Sequence, residues 1–241
     1  MKVKPYEKVS AIFDALMKKL DYESWSNYIL TIADVYLQDS AKILELGAGN
    51  CKIAKFISAR YKHYYATDIS LSMLKSSRNN DLKRICCNMT ELPLKQKFDF
   101  IFSNFDGVNY ILEQKSLSRL FNEVFSLLKK DGVFTFDVSL ERNSLNFVAS
   151  KSVEGSSNGY SFRRISNYNK RTRIHSNHFV IRDEFGREFK EVHKEKIYKI
   201  DTYFKLAEKA GLYIEACYDC FSFKDVKENS QRAQFIMRKI N

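Results

Sequence analysis

The run Ile43-Leu44-Glu45-Leu46-Gly47-Ala48-Gly49-Asn50-Cys51 puts an acidic residue and two glycines at the end of an apolar segment. Glycine lets the backbone take positive φ and come close to a ligand. A helix starting near Cys51 would offer its first N–H groups to polar ligand atoms. Roughly 20 residues further on, Ala66-Thr67-Asp68 ends a second apolar segment, and a carboxylate at such a strand tip can accept both hydroxyls of a ribose. The pair therefore reads as a grip on a nucleoside. A dinucleotide fingerprint wants a third glycine where Lys52 stands, and lysine cannot give the close helix–strand approach of that glycine. A phosphate cradle of the Gly-x-x-x-x-Gly-Lys-Ser/Thr type is absent.

The surrounding pattern supplies the elements that would carry these groups. Apolar spacing of three and four predicts helices over 7–20 and 22–37, with Asp21 as the N-cap of the second. From residue 42, strands at 42–46, 63–67, 83–87, 98–103 and 133–138 alternate with helices at 53–61, 70–77 and 117–128. Asp131-Gly132 reads as the turn before the last of these strands. This rhythm predicts a doubly wound α/β fold with a mostly parallel sheet, of seven strands once the two closing strands at 212–217 and 234–238 are added to these five. It breaks after residue 140. Residues 141–158 read as polar loop, and 160–168, 173–182 and 188–200 as an antiparallel insertion of about three strands. A helix at 201–210, with Asp201 as N-cap and Gly211 as C-terminal cap, precedes closing strands at 212–217 and 234–238. The expected organisation is one domain over 1–241. It comprises a helical cap (1–38), a ligand-binding core (39–140), a cover (141–200), and the closing helix and strands (201–241).

Glu45-x-Gly47-x-Gly49-x-Cys51 resembles motif I of class I S-adenosylmethionine (SAM) dependent methyltransferases, Asp/Glu-x-Gly-x-Gly-x-Gly, with Cys51 at the last glycine. Asp68-Ile69-Ser70-Leu71-Ser72-Met73-Leu74 is similar to the family's Asp-x-Ser-x-x-Met-Leu. Cys87-Asn88-Met89 stands where the family has an Asp-Met pair. Residues 98–106 resemble the fourth-strand motif, and 127–134 the Leu-Lys-Pro-Gly-Gly segment before the fifth strand. The resemblance implies SAM as cofactor and S-adenosylhomocysteine as product. It implies cofactor contacts from Glu45, Gly47, Ala48, Gly49, Asn50, Asp68, Ile69, Met73, Asn88, Met89, Ser103 and Asn104. Asp68 would hold the ribose, Met73 would lie near the adenine, and Asn88 would accept from the adenine amino group without a charge. Phe13-Asp14 and Asp21-Tyr22-x-x-Trp25 also resemble bacterial small-molecule methyltransferases, including those acting on nucleotide-linked amino sugars. In those enzymes the N-terminal helices and the β insertion cover the site, which implies Tyr22 and Trp25 as acceptor contacts.

A sulfonium methyl is already activated, so the protein chiefly aligns a lone pair and excludes water. A base is needed only where the nucleophile carries a proton to lose. Asp106, Asn109 and Tyr110 follow the fourth strand, facing the reactive end if the resemblance holds. Asp106 and Tyr110 are expected in catalysis and Asn109 in acceptor binding. His193, in the third inserted strand, is the other catalytic candidate, or else a partly exposed strand histidine. No Asn/Asp-Pro-Pro-Tyr/Phe follows the fourth strand, which argues against the common exocyclic-amine nucleic-acid enzymes, and no Pro-Cys nucleophile is present. Acceptor N- or O-methylation of a small molecule is the expected activity. The alternatives are an RNA-directed methyltransferase and a non-catalytic SAM-binding regulatory module.

The formal net charge of +11 favours an anionic partner. Residues 159–199 concentrate it, with 11 Lys/Arg against five Asp/Glu. Arg163, Arg164, Arg171 and Arg173 could grip a phosphate or carboxylate, with Arg163 the first choice. Alternatively they are the solvated face of an antiparallel sheet. Tyr160, Phe162 and Tyr168 share strand parity, which keeps a base-stacking surface open. Cys217-Tyr-Asp-Cys220 lacks the second pair or spaced histidines of a zinc site, and His175 and His178 cannot share a strand face, so no metal is expected. No run approaches the roughly 20 apolar residues of a membrane span, and no leader is evident, so a cytoplasmic monomer or homodimer is expected.

Overall fold

The computed structural model describes residues 1–78, 81–150 and 152–240. Helix α1 (Val9–Leu16) is shorter than its apolar pattern predicts, because its start and its packing are fixed from outside. Val9 and Ile12 bury against Phe162, Phe179, Ile181 and Phe189 of the distant insertion. Helix α2 (Tyr22–Tyr36) begins as expected, with the Asp21 carboxylate accepting from the Ser24 N–H at 2.9 Å. Its face of Trp25, Tyr28, Ile29 and Ile32 is buried.

The alternating segment follows: β1 (Lys42–Leu46), α3 (Lys52–Arg60), β2 (His63–Asp68), α4 (Leu71–Lys75), β3 (Lys83–Cys86), β4 (Phe98–Ser103), α5 (Gln114–Leu127) and β5 (Leu128–Ser139). A 3₁₀ turn at Gly107–Tyr110 follows β4. The chain runs outward from β1 through β2 to β3, then returns to place β4 and β5 on the other side of β1. The order therefore reverses between β1 and β4, and such sheets bind ligands beyond the strand ends at that crevice. Asp131 and Gly132 are not a turn before the strand. They lie within β5, where the pairing shifts from Phe98 opposite Leu128 to Phe100 opposite Val133. A Cβ on Gly132 would sit 3.1 Å from the Phe98 carbonyl oxygen, so glycine serves close approach at a bulge.

The described residues of 141–158 are not all loop. They form α6 (Glu141–Ala149) and strand β6 (Ser152–Ser157). Only Ser144 of α6 is buried, so the helix lacks the apolar stripe that would announce it. Gly155 lies under the Phe162 ring, which a Cβ would meet at 2.8 Å. Asn158 and Gly159, both at positive φ, make the two-residue turn into β7 (Tyr160–Asn169). With β8 (Ile174–Arg182) and β9 (Glu188–Lys196), the insertion is a four-stranded antiparallel sheet rather than three strands. Helix α7 (Ile200–Lys209) begins one residue earlier than expected, with Lys199 rather than Asp201 at its N-cap. Strands β10 (Leu212–Asp219), β11 (Lys224–Asp225) and β12 (Arg232–Lys239) complete the first sheet, in which β12 runs antiparallel between β5 and β10. The two-residue β11 makes that sheet eight strands where seven were expected. Its core is aromatic: Phe136 and Phe235 stack at 5.0 Å across the β5–β12 pair.

Candidate active site

Both motif glycines adopt the left-handed conformation that their type permits, Gly47 at φ +71° and Gly49 at φ +55°. Cys51 also lies there, at φ +60°, and its thiol is buried. The third motif position thus keeps a glycine's backbone with another side chain. Asp68, at the tip of β2, braces this turn. One carboxylate oxygen accepts from the Gly49 N–H at 2.8 Å and the other from the Ser70 N–H at 2.7 Å. Burial raises its pKa, and the two N–H donors oppose that rise. Glu45 is buried in β1 and accepts from the Tyr64 hydroxyl at 2.7 Å. Burial pushes its carboxyl up to about 8.

A cavity of 580 Å³ opens at this turn and runs inward to the face of the insertion sheet. Glu45, Gly47, Ala48, Gly49, Asn50, Asp68, Ile69, Met73, Asn88, Met89 and Asn104 all line its outer end. The Met73 and Met89 methyl groups lie 3.3 Å and 3.4 Å from where a Cβ on Gly49 or Gly47 would stand. Asn50 donates to Asp14 at 2.9 Å, which ties the glycine turn to α1. Ser103 is buried against Gly107 and does not line the cavity. Asn88 departs from expectation in detail. Its amide oxygen accepts from both the Thr90 N–H and hydroxyl at 3.0 Å, which turns the amide nitrogen, a donor, into its free group. Asn104 is buried at the end of β4, and neither of its amide atoms has a partner among the described residues. A buried amide without partners is costly unless a ligand supplies them. The orphaned amide, the glycine turn and the Asp68 carboxylate fit a nucleoside that carries an amino-acid tail.

The inner end holds Tyr6, Asp106, Tyr110, Arg164, His175, Asn177, His193 and Glu195. The Tyr6 hydroxyl donates to the Tyr110 hydroxyl at 2.7 Å. Tyr110 in turn lies 3.3 Å from His193 Nδ1, and His193 Nε2 lies 3.1 Å from Glu191. Glu191 also accepts the backbone N–H groups of Tyr6, at 2.8 Å, of Lys8, and of Val9, at 3.0 Å, at the start of α1. Three N–H donors at the start of a helix thus converge on this one side chain. His193 Nε2 is then the donor toward Glu191, and the lone pair falls on Nδ1, facing Tyr110. Burial raises the pKa of both tyrosines. Asp106 sits at positive φ and is held by Arg232, which also binds the buried Asp137. Its carboxylate is therefore occupied by a guanidinium.

Four expected site residues lie elsewhere than the cavity wall. Ser103 is one. Trp25 is buried between Phe105 and Phe221, with Arg232 over its ring. Asn109 ties the ends of β5 and β9 together through the Ser139 N–H and the Ser139 and Lys196 carbonyls. Arg163 points to the exposed side of β7 and pairs with Glu154 at 3.2 Å. Its neighbour Arg164 lines the cavity instead, since successive strand residues face opposite ways. Tyr22 lines the outer rim. The spacing of β9 could have revealed more: Glu191, His193 and Glu195 alternate with exposed Lys190 and Lys194 and face inward together. Among the described residues no group of three or more His, Cys, Asp or Glu could hold a metal ion. Nor, among the described residues, is any helix long and apolar enough to cross a membrane.

Residues 43–132 match a family model described as a methyltransferase domain. A candidate methyltransferase of Geobacillus sp. (strain WCH70) is 25% identical over 97% of this chain and 99% of its own length. A SAM-dependent methyltransferase from Clostridium acetobutylicum superposes with a TM-score of 0.83 at 24% identity, over 98% of this chain and 99% of that one. CalS10, an amino pentose methyltransferase from Micromonospora echinaspora solved with SAM bound, superposes at 0.73 and 15% identity, over 95% and 96%. With the motif-I turn and the order reversal beside it, residues 43–132 carry a methyltransferase domain, and the chain has the fold of class I SAM-dependent methyltransferases.

Proposed function

We propose that this methyltransferase methylates the nitrogen or oxygen of a small molecule seated at the inner end of the cavity. The observation that carries this reading is the continuity of one cavity from the glycine turn to the inward face of the insertion sheet. The outer end would be filled by SAM, held by Asp68, the glycine-turn backbone and the Asn104 amide. When bound, SAM supplies a methyl group activated by its sulfonium. The inner end supports an acceptor that is enclosed and desolvated, which favours alignment over competition by water. Tyr6, Tyr110 and His193 form a hydrogen-bonded line that can orient the acceptor. Glu191 fixes the tautomer that makes this possible. The amino pentose activity named for CalS10 is of the same acceptor class.

An RNA acceptor finds less support. Phe162 is buried beneath α1, and Tyr168 is held by Glu141 at 2.8 Å, so these rings and Tyr160 do not make an open stacking row. The exposed bases of the insertion, such as Arg163, Arg182 and Arg187, pair with neighbouring carboxylates. The direct test uses methyl-labelled SAM with two fractions of a cell extract, metabolites below about 1 kDa and purified RNA. Label entering the metabolite fraction is the expected result. Label entering only RNA would overturn the proposal, and no transfer despite SAM binding would shift the reading to a regulatory module.

A further inference from the structure

Resting on the small-molecule reading, we propose that the inner end of the cavity selects an acceptor carrying an amine and, several bonds away, a carboxylate or phosphate. Glu195 faces the amine and Arg164 the anionic group. The insertion sheet presents its inward side chains in cross-strand rows. Arg164, Phe179 and Glu191 form one row; Ser166, Asn177 and His193 the next; Tyr168, His175 and Glu195 the third. Arg164 and Glu195 both line the cavity. They stand two rows and two strands apart, roughly 13 Å along the strands and about 10 Å across them at the backbone. The middle row, with His193 at its end, lies between them.

These two charges differ from the charged groups near them. Asp106 is taken by Arg232, Glu141 by Arg173 and Tyr168, and Glu191 by backbone N–H groups and His193. Among the described residues Arg164 has no ion pair, and its Nε is buried without a partner beside the Phe147 ring. Glu195 is 9% exposed and accepts no hydrogen bond among the described residues. Desolvated charges of opposite sign ordinarily pair with each other. Here they sit on separate rows and strands and feel each other's charge without forming an ion pair, so a ligand with two opposite ends would satisfy both. His175, opposite Glu195, has an unpartnered Nδ1, and burial lowers its pKa, which leaves a neutral ring to hydrogen-bond the acceptor.

The arrangement also matches the chemistry. Asp106 (after β4), Arg164 (β7), His175 (β8) and Arg232 (β12) surround the Glu195 carboxyl. Its burial and the Asp106 charge outweigh the two cations and raise its pKa far above the usual carboxylate range. It is thereby a stronger proton acceptor than an exposed glutamate. An ammonium acceptor passes one proton to Glu195. The freed nitrogen lone pair forms a bond to the methyl carbon, and the carbon–sulfur bond breaks with its electron pair left on sulfur. The products are the N-methylated ammonium, S-adenosylhomocysteine and protonated Glu195.

The test is a ruler of acceptors with methyl-labelled SAM. ω-Amino acids and ω-aminoalkyl phosphates with chains of about two to six carbons are compared with alkylamines and ω-hydroxy acids of equal length. The wild type is expected to prefer one length of an amine–anion series over its alkylamine by about 10- to 100-fold in kcat/KM, the scale of a charge-assisted hydrogen bond. Which series wins tells carboxylate from phosphate. Arg164→Met should bring the two rates together. Glu195→Gln, nearly isosteric, should lower kcat and flatten its rise with pH while SAM affinity holds. Equal wild-type rates with alkylamines, or a Glu195→Gln enzyme as fast as wild type, overturn the subsite and leave the small-molecule reading standing. Methylation of no series member also overturns it, and label in RNA instead overturns the small-molecule reading with it.

Discussion

Asn88 shows how one side chain can carry a family position with altered chemistry. Its oxygen is spent on Thr90, so a donor faces the cavity where the resemblance implies an acceptor. An adenine amino group is itself a donor, and the two would not pair. Asn88→Asp keeps an acceptor for Thr90 and frees another, so SAM should bind several-fold more tightly, measured by calorimetry; unchanged or weaker binding would place the adenine elsewhere. The spacing of Glu45, Gly47, Gly49 and Asp68 was readable because a glycine turn and a strand-tip carboxylate are local features. Arg163 against Arg164 was not, because adjacent basic residues leave strand parity undecided until the pairing is known. Glu191 and Glu195 went unnoticed because inward carboxylates look, in sequence, like the polar half of an ordinary alternating strand.

Among the elements, α1 is shorter at both ends than its apolar pattern predicts. It has no side-chain cap of its own, and its N-terminal N–H groups are met by Glu191 of β9. A cap borrowed from nearly two hundred residues away leaves no local signature. The same carboxylate orients His193, so closure of α1 over the cavity and the state of the histidine are coupled. Glu191→Ala should cost about 1–3 kcal/mol through lost charged hydrogen bonds. It should also raise amide hydrogen exchange in residues 9–16 more than in α2, and equal exchange in the two helices would deny the cap its role. Helix α6 was missed for a different reason, since a helix that buries only a serine gives no periodic signal. The β-α alternation of residues 42–139 is legible apart from the start of β5, because two-sided burial writes continuous apolar strands.

At the scale of the molecule, burial of acidic groups along the cavity ties folding to pH. Glu45 moves from an ordinary value of 4.5 to about 8 on folding. Between those values the folded state keeps a proton that the unfolded chain releases, so this group's contribution falls as pH rises from about 4.5 to about 8 and is then level. Glu195 acts in the same direction. Glu45→Gln should therefore flatten the decline in stability across that range, followed by urea unfolding at pH 5, 7 and 9. An unaltered slope would mean that Glu45 is ionised in the fold. The whole architecture places a cofactor end and an acceptor end in one cavity, and the first must hold for the second to matter. Calorimetric titration with SAM tests that most directly. The account predicts saturable one-site binding that Asp68→Ala weakens by about 10-fold or more, the scale of a lost charged contact. Absence of binding heat at high protein concentration, or equal affinity in Asp68→Ala, would contradict it.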